Sequence, residues 1–230
     1  MRAVLLPVKH LQNAKQRFAS LLKPDERFAL ATAMLDDMIQ ALKGVSLAEK
    51  IFIATNYEPA IQAAAENGWE LLHEREQISE SHSVDAASKI CASRGVTHLL
   101  RIPLDLPLVQ SADIDDLLAV ECSAPAVVIV PSRDGTGTNA ILRSHPSLFS
   151  SHFGTGSFAK HIAESKESRA QLIVRRNPRL EMDVDDESDL RALLQYDLGD
   201  THTGAFLRES GIAARLQSNI SVGASVAAET

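Results

Sequence analysis

Two short acidic stretches carry the most chemistry in this chain. In "IPLDLPL" (102–108), Asp105 stands between two prolines at the end of an apolar run. In "EMDVDDESDL" (181–190), Asp183 and Asp185 alternate across Val184. On extended backbone, residues i and i+2 face the same side. Two carboxylates placed that way repel unless a cation sits between them. Mg²⁺ binds through one or two carboxylates together with phosphate oxygens. Asp105, Asp183 and Asp185 are therefore candidate Mg²⁺ ligands. The plain alternatives are a turn aspartate that bonds nearby backbone and a solvated acidic turn. Asp186 or Ser188 opens the next helix, which gives the more distal acids a capping role.

The opening "MRAVLLPVKHLQNAKQR" supplies the opposite charge. Val4, Leu5, Leu6 and Val8 read as a buried first strand, yet no glycine precedes Gly44, so the loop after it cannot wrap its backbone around a phosphate. It carries Lys9, Lys15 and Arg17 instead, and "AKQRF" begins a helical turn. Three such cations can neutralise a triphosphate and a departing pyrophosphate. A solvated basic patch would look the same.

Three further segments offer polar contacts. In "RDGTGTNAIL" (133–142), Gly135 and Gly137 permit positive φ and close backbone approach, and Thr136, Thr138 and Asn139 add short polar side chains. This suits a small oxyanion or a ribose, or an ordinary hairpin loop. In "FGTGSFAKH" (153–161), Gly154, Gly156 and Ser157 precede a helix, whose free N–H groups and dipole favour an anion. In "ESHSVDAAS" (80–88), Ser83 reads as a cap and Asp85 as an acceptor from a base or sugar. His82, the serines and Asp85 do not form a hydrolase triad, and no G-x-S-x-G elbow occurs.

The elements that must position these residues alternate. Strands are expected at 2–8, 50–55, 69–72, 97–102, 126–131, 138–143 and 171–176. Helices are expected at 24–44, 58–68, 82–94, 111–121, 156–166 and 186–196. Pro24, Asp25 and Glu26 suit the start of the first helix and Gly44 its end; Ser111 is the expected cap of the fourth. Such β-α alternation predicts an α/β three-layer sandwich on a mixed, mostly parallel sheet. Residues 1–217 are expected to form a single domain, and the small, polar stretch 218–230 a mobile tail.

Bulk properties narrow the function classes. A length of 230 residues with 45% hydrophobic and 23% charged residues fits a globular domain with a sizeable core. A formal charge of −7 speaks against nucleic-acid backbone binding as the main activity. No apolar run is long enough to span a membrane, and the N-terminus lacks the continuous apolar segment of a signal peptide. Cys91 and Cys122 lie in helix-like contexts without metal-ligand spacing and read as reduced thiols of a cytoplasmic protein.

Taken in order, these segments resemble the guanylyltransferases of coenzyme F420 biosynthesis, the CofC/FbiD family. The family's opening "(I/V)PVK…AK(S/T)RL" is matched by "LPVKHLQNAKQRF", and its "AML.D" helix by "AMLDDMI". Its "DLPL" recurs at 105–108, "GTGTN" at 135–139, "FG.GS…H" at 153–161 and "D(I/V)D…DL" at 183–190. The chain departs from the family at Val84-Asp85-Ala86, where many members carry "LN.A", and at Leu104, where many have a small residue.

The resemblance implies a nucleotide-diphospho-sugar transferase-like fold, similar to the MobA-like, GT-A-type and other Rossmann-like transferases. It implies GTP as substrate, Mg²⁺ as cofactor, and transfer of GMP to the phosphate of a three-carbon phosphorylated acid with release of pyrophosphate. Phosphoenolpyruvate is favoured as acceptor, with 3-phospho-D-glycerate and 2-phospho-L-lactate as alternatives, and the product feeds the next transferase of the F420 pathway. Within that reading Lys9, Lys15 and Arg17 hold the β- and γ-phosphates. Asp85 contacts the nucleotide, Asp105, Asp183 and Asp185 hold Mg²⁺, and Thr138, Gly154 and Ser157 receive the acceptor phosphate. Competing readings are a transferase of the same fold using CTP or a sugar phosphate, a nucleotide hydrolase, and a catalytically silent nucleotide-binding protein.

Overall fold

The computed structural model describes residues 1–216. The expected tail at 218–230 lies outside the described residues. Seven strands join in one sheet: β1 (Arg2–Pro7), β2 (Lys50–Thr55), β3 (Glu70–His73), β4 (His98–Arg101), β5 (Ala126–Pro131), β6 (Thr138–Arg143) and β7 (Gln171–Val174). Their order is β3-β2-β1-β4-β6-β5-β7. β6 runs antiparallel to its neighbours β4 and β5, and the other pairings are parallel. The mixed, mostly parallel sheet expected from the alternation is the one observed.

β1 is apolar throughout because both of its faces are covered, as in parallel sheets generally. Val4 and Leu6 face a core shared with α1 (Pro24–Lys43), α2 (Glu58–Glu66) and α4 (Ser111–Leu118). Ala3 and Leu5 face the opposite layer, where Val84, Ala87 and Cys91 of α3 (Glu80–Ser93) pack. Farther along that face α5 (Ser157–Glu167) contributes Phe158 against Val127, Ile129 and Ile141. Short helices α6 (Pro178–Glu181), α7 (Glu187–Leu193) and α8 (His202–Glu209) follow β7. No helix among the described residues is long and apolar enough to cross a membrane.

Several local expectations change. Ser79, not Ser83, caps α3, its side chain accepting from His82 N at 3.1 Å. Gln110 precedes α4, while Ser111 Oγ donates to Ala41 O at 2.7 Å and ties that helix to α1. Cys122 lies in the loop after α4 rather than in a helix. Both cysteines are free, and burial pushes the Cys91 thiol up to about 12. Neither α6 nor α8 was expected. α8 is a short helix capped by Thr201, whose hydroxyl oxygen accepts from Gly204 N (3.0 Å), and Asp37 of α1 anchors its start by accepting from His202 N (2.6 Å) and Thr203 N (3.0 Å).

A separate apolar cluster sets the position of the second acidic stretch. Val184 is fully buried among Phe18, Leu22, Met34, Met182 and Leu190. With Val184 committed to that cluster, the alternation of extended backbone turns Asp183 and Asp185 the other way. Asp113 of α4 braces the approach from the other side. It accepts from Asn177 Nδ2 (2.8 Å) and Arg179 Nε (2.7 Å), holding α6 at the head of the stretch.

Candidate active site

In an open α/β sheet, ligands bind beyond the carboxyl ends of the strands where the strand order reverses. That reversal falls between β1 and β4 here, with the loop bearing Lys9 to Arg17 after β1 and Asp105 after β4. Val184 N donates to Asp105 O at 3.1 Å. This single backbone bond stitches the two acidic stretches together, so Asp105 lies beside Asp183 and Asp185.

A cleft of about 510 Å³ opens over them. Asp105, Asp183, Asp185, Arg17, Thr138, Gly154 and Ser157 all line it. Seven of the expected site residues are thus gathered in one place from five separate segments.

Lys15 is placed differently from the expectation. Its side chain is only 7% exposed and its Nζ lies 2.9 Å from both Asp105 Oδ2 and Asp185 Oδ1. Lys15 adopts the left-handed backbone conformation (φ 56°) just before a 3-10 turn at Gln16–Phe18, which aims its side chain inward beneath the carboxylates. Burial alone would lower its pKa, but the two carboxylates outweigh that and hold it above the ordinary lysine value. The same ammonium, helped by Arg101, holds Asp105 below the usual carboxylate range despite its burial. As placed, Lys15 is a counter-cation for Asp105 and Asp185. Arg17 is 70% exposed at the rim, its Nη1 3.9 Å from Asp185 Oδ2.

Two expected residues are not brought into the cleft. Lys9 is half-buried after β1 and does not line it. Asp85 faces inward from α3, where its carboxylate accepts from Ser151 N at 2.9 Å and lies near Arg143. Its partner is loop backbone, the plain alternative to a nucleotide contact.

Asp183 lacks the compensation its neighbours have. Its Oδ1 accepts from Asn139 Nδ2 at 3.1 Å, and among the described residues it forms no ion pair. Burial, reinforced by the charges of Asp105 and Asp185, pushes it up to about 6. No three acidic, histidine or cysteine side chains among the described residues already converge on a single metal position. An uncompensated carboxylate beside two others still fits Mg²⁺, which needs few protein ligands and takes its remaining oxygens from phosphate and water.

The opposite wall is built to receive an anion. Gly154 (φ 105°) and Gly156 (φ 68°) sit in left-handed conformations, which lets the loop turn sharply into α5. No side chain caps the helix, so its N-terminal dipole is directed at the cleft edge formed by Gly154, Thr155 and Ser157. Beside it, Asp134 accepts from Thr136 N (2.9 Å) and Ser132 Oγ (2.6 Å), and Ser132 Oγ in turn accepts from Gly137 N (2.7 Å). The glycines of "GTG" therefore shape a compact turn that leads into Thr138.

Two residues without an expected role, His161 and Arg101, complete the site together with Asn139. His161 of α5 accepts from His152 N at its Nε2 (3.0 Å), so its Nδ1 carries the proton and donates to Thr138 Oγ1 (3.0 Å). Burial lowers its pKa to about 3, which keeps it neutral. Its presence in "FG.GS…H" was the available signal. Asn139 steadies Asp183, as described. Arg101, the last residue of β4, reaches the cleft from the sheet itself. Inside an apolar strand its only sequence signal was a charge among leucines.

The fold matches those of solved nucleotide-handling enzymes. A Desulfovibrio desulfuricans G20 protein assigned to the nucleotide-diphospho-sugar transferases superposes with a TM-score of 0.76 at 16% identity, covering 94% of this chain and 97% of that one. A nucleotidyl transferase from Methanothermobacter thermautotrophicus superposes with a TM-score of 0.57 at 14% identity, covering 91% and 99%. At the sequence level, the phosphoenolpyruvate guanylyltransferase of Roseiflexus sp. (strain RS-1) is 34% identical over 199 residues, 86% of each chain. The 2-phospho-L-lactate guanylyltransferase of Methanothermobacter thermautotrophicus is 31% identical over 205 residues, 89% of each chain. The family model described as guanylyl transferase, CofC like, matches residues 1–227. Fold, gathered carboxylates and sequence agree: the chain is a nucleotidyltransferase that belongs to the CofC-like guanylyl transferase family.

Proposed function

We propose that this protein transfers GMP from GTP to the phosphate of a three-carbon phosphorylated acid, with phosphoenolpyruvate as the favoured acceptor, in coenzyme F420 biosynthesis. An acceptor phosphate oxygen attacks the α-phosphorus of GTP. The bond from that phosphorus to the β-phosphate bridging oxygen breaks, and pyrophosphate leaves with the electron pair. The nucleophile is ionised at neutral pH, so no general base is required. Catalysis then rests on positioning and charge neutralisation.

One observation carries this reading. Asp105, Asp183 and Asp185 share a cleft with the uncapped start of α5 and the Thr138 hydroxyl. Asp105, Asp183 and Asp185 would hold Mg²⁺, which supplies charge neutralisation to the phosphates when bound. Lys15 keeps Asp105 and Asp185 together and ionised. His161 fixes the Thr138 hydroxyl as a donor toward the cleft, because the Thr138 oxygen already accepts from Nδ1. Thr138, Gly154 and Ser157 receive the acceptor phosphate, and Arg17 at the rim takes charge from the departing pyrophosphate. Lys9 and Asp85 have no part in this arrangement.

The names of the relatives support the choice of acceptors: guanylyltransferases acting on phosphoenolpyruvate and on 2-phospho-L-lactate are both about equally similar to this chain. A cytoplasmic site of action fits the two unpaired cysteines. The labile diphosphate product would be handed to the next transferase of the pathway. A nucleotide panel tests the donor: with phosphoenolpyruvate and Mg²⁺, GTP should support pyrophosphate release at least tenfold faster than CTP or ATP. Equal rates with CTP would move the assignment to a cytidylyltransferase.

A further inference from the structure

Arg101 is 3% exposed, yet it lines the cleft beside Asp105, Thr138 and Ser157. Arg17 and Arg133, the other arginines of the lining, have substantially exposed side chains. The Arg101 guanidinium is held on three sides. Its Nη1 donates to Thr138 O (3.3 Å) and Asn139 O (3.2 Å), and its Cζ lies 3.9 Å from the centroid of the Phe153 ring. Its Nη2 pairs with Glu80 in the first turn of α3. Its Nε is buried and has no hydrogen-bond partner among the described residues.

A buried cation costs stability unless it is paired and its donors are used. Here β4 needs no charge for its own packing, since Leu99 and Leu100 beside it fill the core. The counter-anion, Glu80, is 36% exposed and also lines the cleft. A guanidinium binds carboxylates in a fixed, two-pronged geometry. Arg101 therefore presents a carboxylate receptor at the cleft floor, one strand away from Thr138, with a carboxylate of the protein itself as competitor.

Resting on the acceptor reading above, we propose that Arg101 recognises the carboxylate of the acceptor acid while Thr138, Gly154 and Ser157 hold its phosphate, and that Glu80 competes with the acid for Arg101. Every candidate acceptor carries a carboxylate within a few bonds of its phosphate. A phosphomonoester lacking that carboxylate would fit the phosphate end and leave Arg101 with Glu80. Arg101 is in this account a specificity-determining residue for phosphorylated acids over phosphorylated alcohols.

The test is pyrophosphate release by the full chain with GTP and Mg²⁺, varying the acid and GTP separately, in wild type, Arg101→Met, Arg101→Lys and Glu80→Gln. The expected result is an acid KM raised about tenfold or more in Arg101→Met, with the GTP KM within about twofold of wild type. Arg101→Lys should recover part of that loss. Glu80→Gln should lower the acid KM, about two- to fivefold, because it removes the competitor. A purely structural ion pair predicts the reverse sign for Glu80→Gln, and that sign would overturn the proposal even if Arg101→Met failed to fold. Equal rises in both KM values for Arg101→Met would also overturn it. A wild-type chain that releases pyrophosphate with none of the acids would remove the acceptor reading itself and this proposal with it. Wild-type turnover with an unchanged acid KM in the variants would remove this proposal alone.

Discussion

The Nζ of Lys15 and the Oδ2 of Asp105 lie 2.9 Å apart, and the same ammonium is equally close to Asp185. Three carboxylates can share one small region only because a cation stands beneath two of them. Removing it should leave like charges facing one another. Lys15→Met is expected to lower stability by about 2–4 kcal/mol at neutral pH. Mg²⁺ should raise the melting temperature of this variant more than that of wild type. Thermal denaturation with and without Mg²⁺ checks both, and an equal Mg²⁺ response in the two proteins would contradict the charge-compensation role.

Asp183 gives the site a pH dependence. Its pKa near 6 lies above the unfolded carboxylate value, so the folded state binds the extra proton between about pH 4 and 6. Stability from this group is full below the unfolded value and declines as pH rises through about 6. Mg²⁺ affinity should move the other way, increasing across pH 6 as the carboxylate ionises. Asp183→Asn should stabilise the metal-free protein by roughly 1 kcal/mol at pH 8, a figure reduced for partial solvent exposure, while abolishing transfer. Calorimetric Mg²⁺ titrations at pH 5.5 and 7.5 check the sign.

His161 predicts a separate acid effect. Its folded pKa of about 3 lies below the unfolded histidine value, so the unfolded state takes up the extra proton. The stability it contributes is present above about pH 6.5 and is lost as pH falls toward 3. His161→Asn should flatten the decline between pH 6.5 and 4.5, by on the order of 2 kcal/mol. In wild type, nitrogen chemical shifts should show a neutral ring protonated on Nδ1 at pH 7. A proton on Nε2 would undo the argument that the Thr138 hydroxyl is directed into the cleft.

Much of this architecture was legible in the sequence, and the exceptions have physical causes. Apolar runs flanked by helix-start and helix-stop residues located the seven strands within a residue or two, most plainly for β1 and β5, which are buried along nearly their whole length and carry almost no polar residue. The pattern Asp183-Val184-Asp185 predicted two carboxylates on one side, and the burial of Val184 is what enforces it. α8 had a legible start in Thr201, which caps it, but its brevity and its anchoring to Asp37, distant in sequence, hid it. Ser111 resembled a cap, but the nearby Ala41 carbonyl takes its hydroxyl. Lys15 and Asp85 were read by charge alone. Their partners, the Asp105–Asp185 pair and the Ser151 amide, come from distant segments that only the folded chain brings near. Arg101 was hidden for the same reason: its meaning depends on Glu80, Phe153 and Thr138, from three different elements or loops.

Asp105 is the residue on which the transfer chemistry depends most, because Lys15, the Val184 amide and the cleft all meet at it. Asp105→Asn keeps the shape and removes the charge. It should retain the fold by circular dichroism and lose at least a thousandfold in turnover, a typical scale for removing a main electrostatic element. A variant that still turns over within tenfold of wild type would remove Asp105 from the site.

The most direct test of the account is acid-dependent pyrophosphate release from GTP and Mg²⁺. Phosphoenolpyruvate, 3-phospho-D-glycerate and 2-phospho-L-lactate would be supplied in turn, with the next pathway transferase and its deazaflavin acceptor present to draw off the labile product. The account predicts release with phosphoenolpyruvate and none without an acid. GTP binding with no release for any of the three acids would contradict guanylyl transfer to a three-carbon phosphorylated acid.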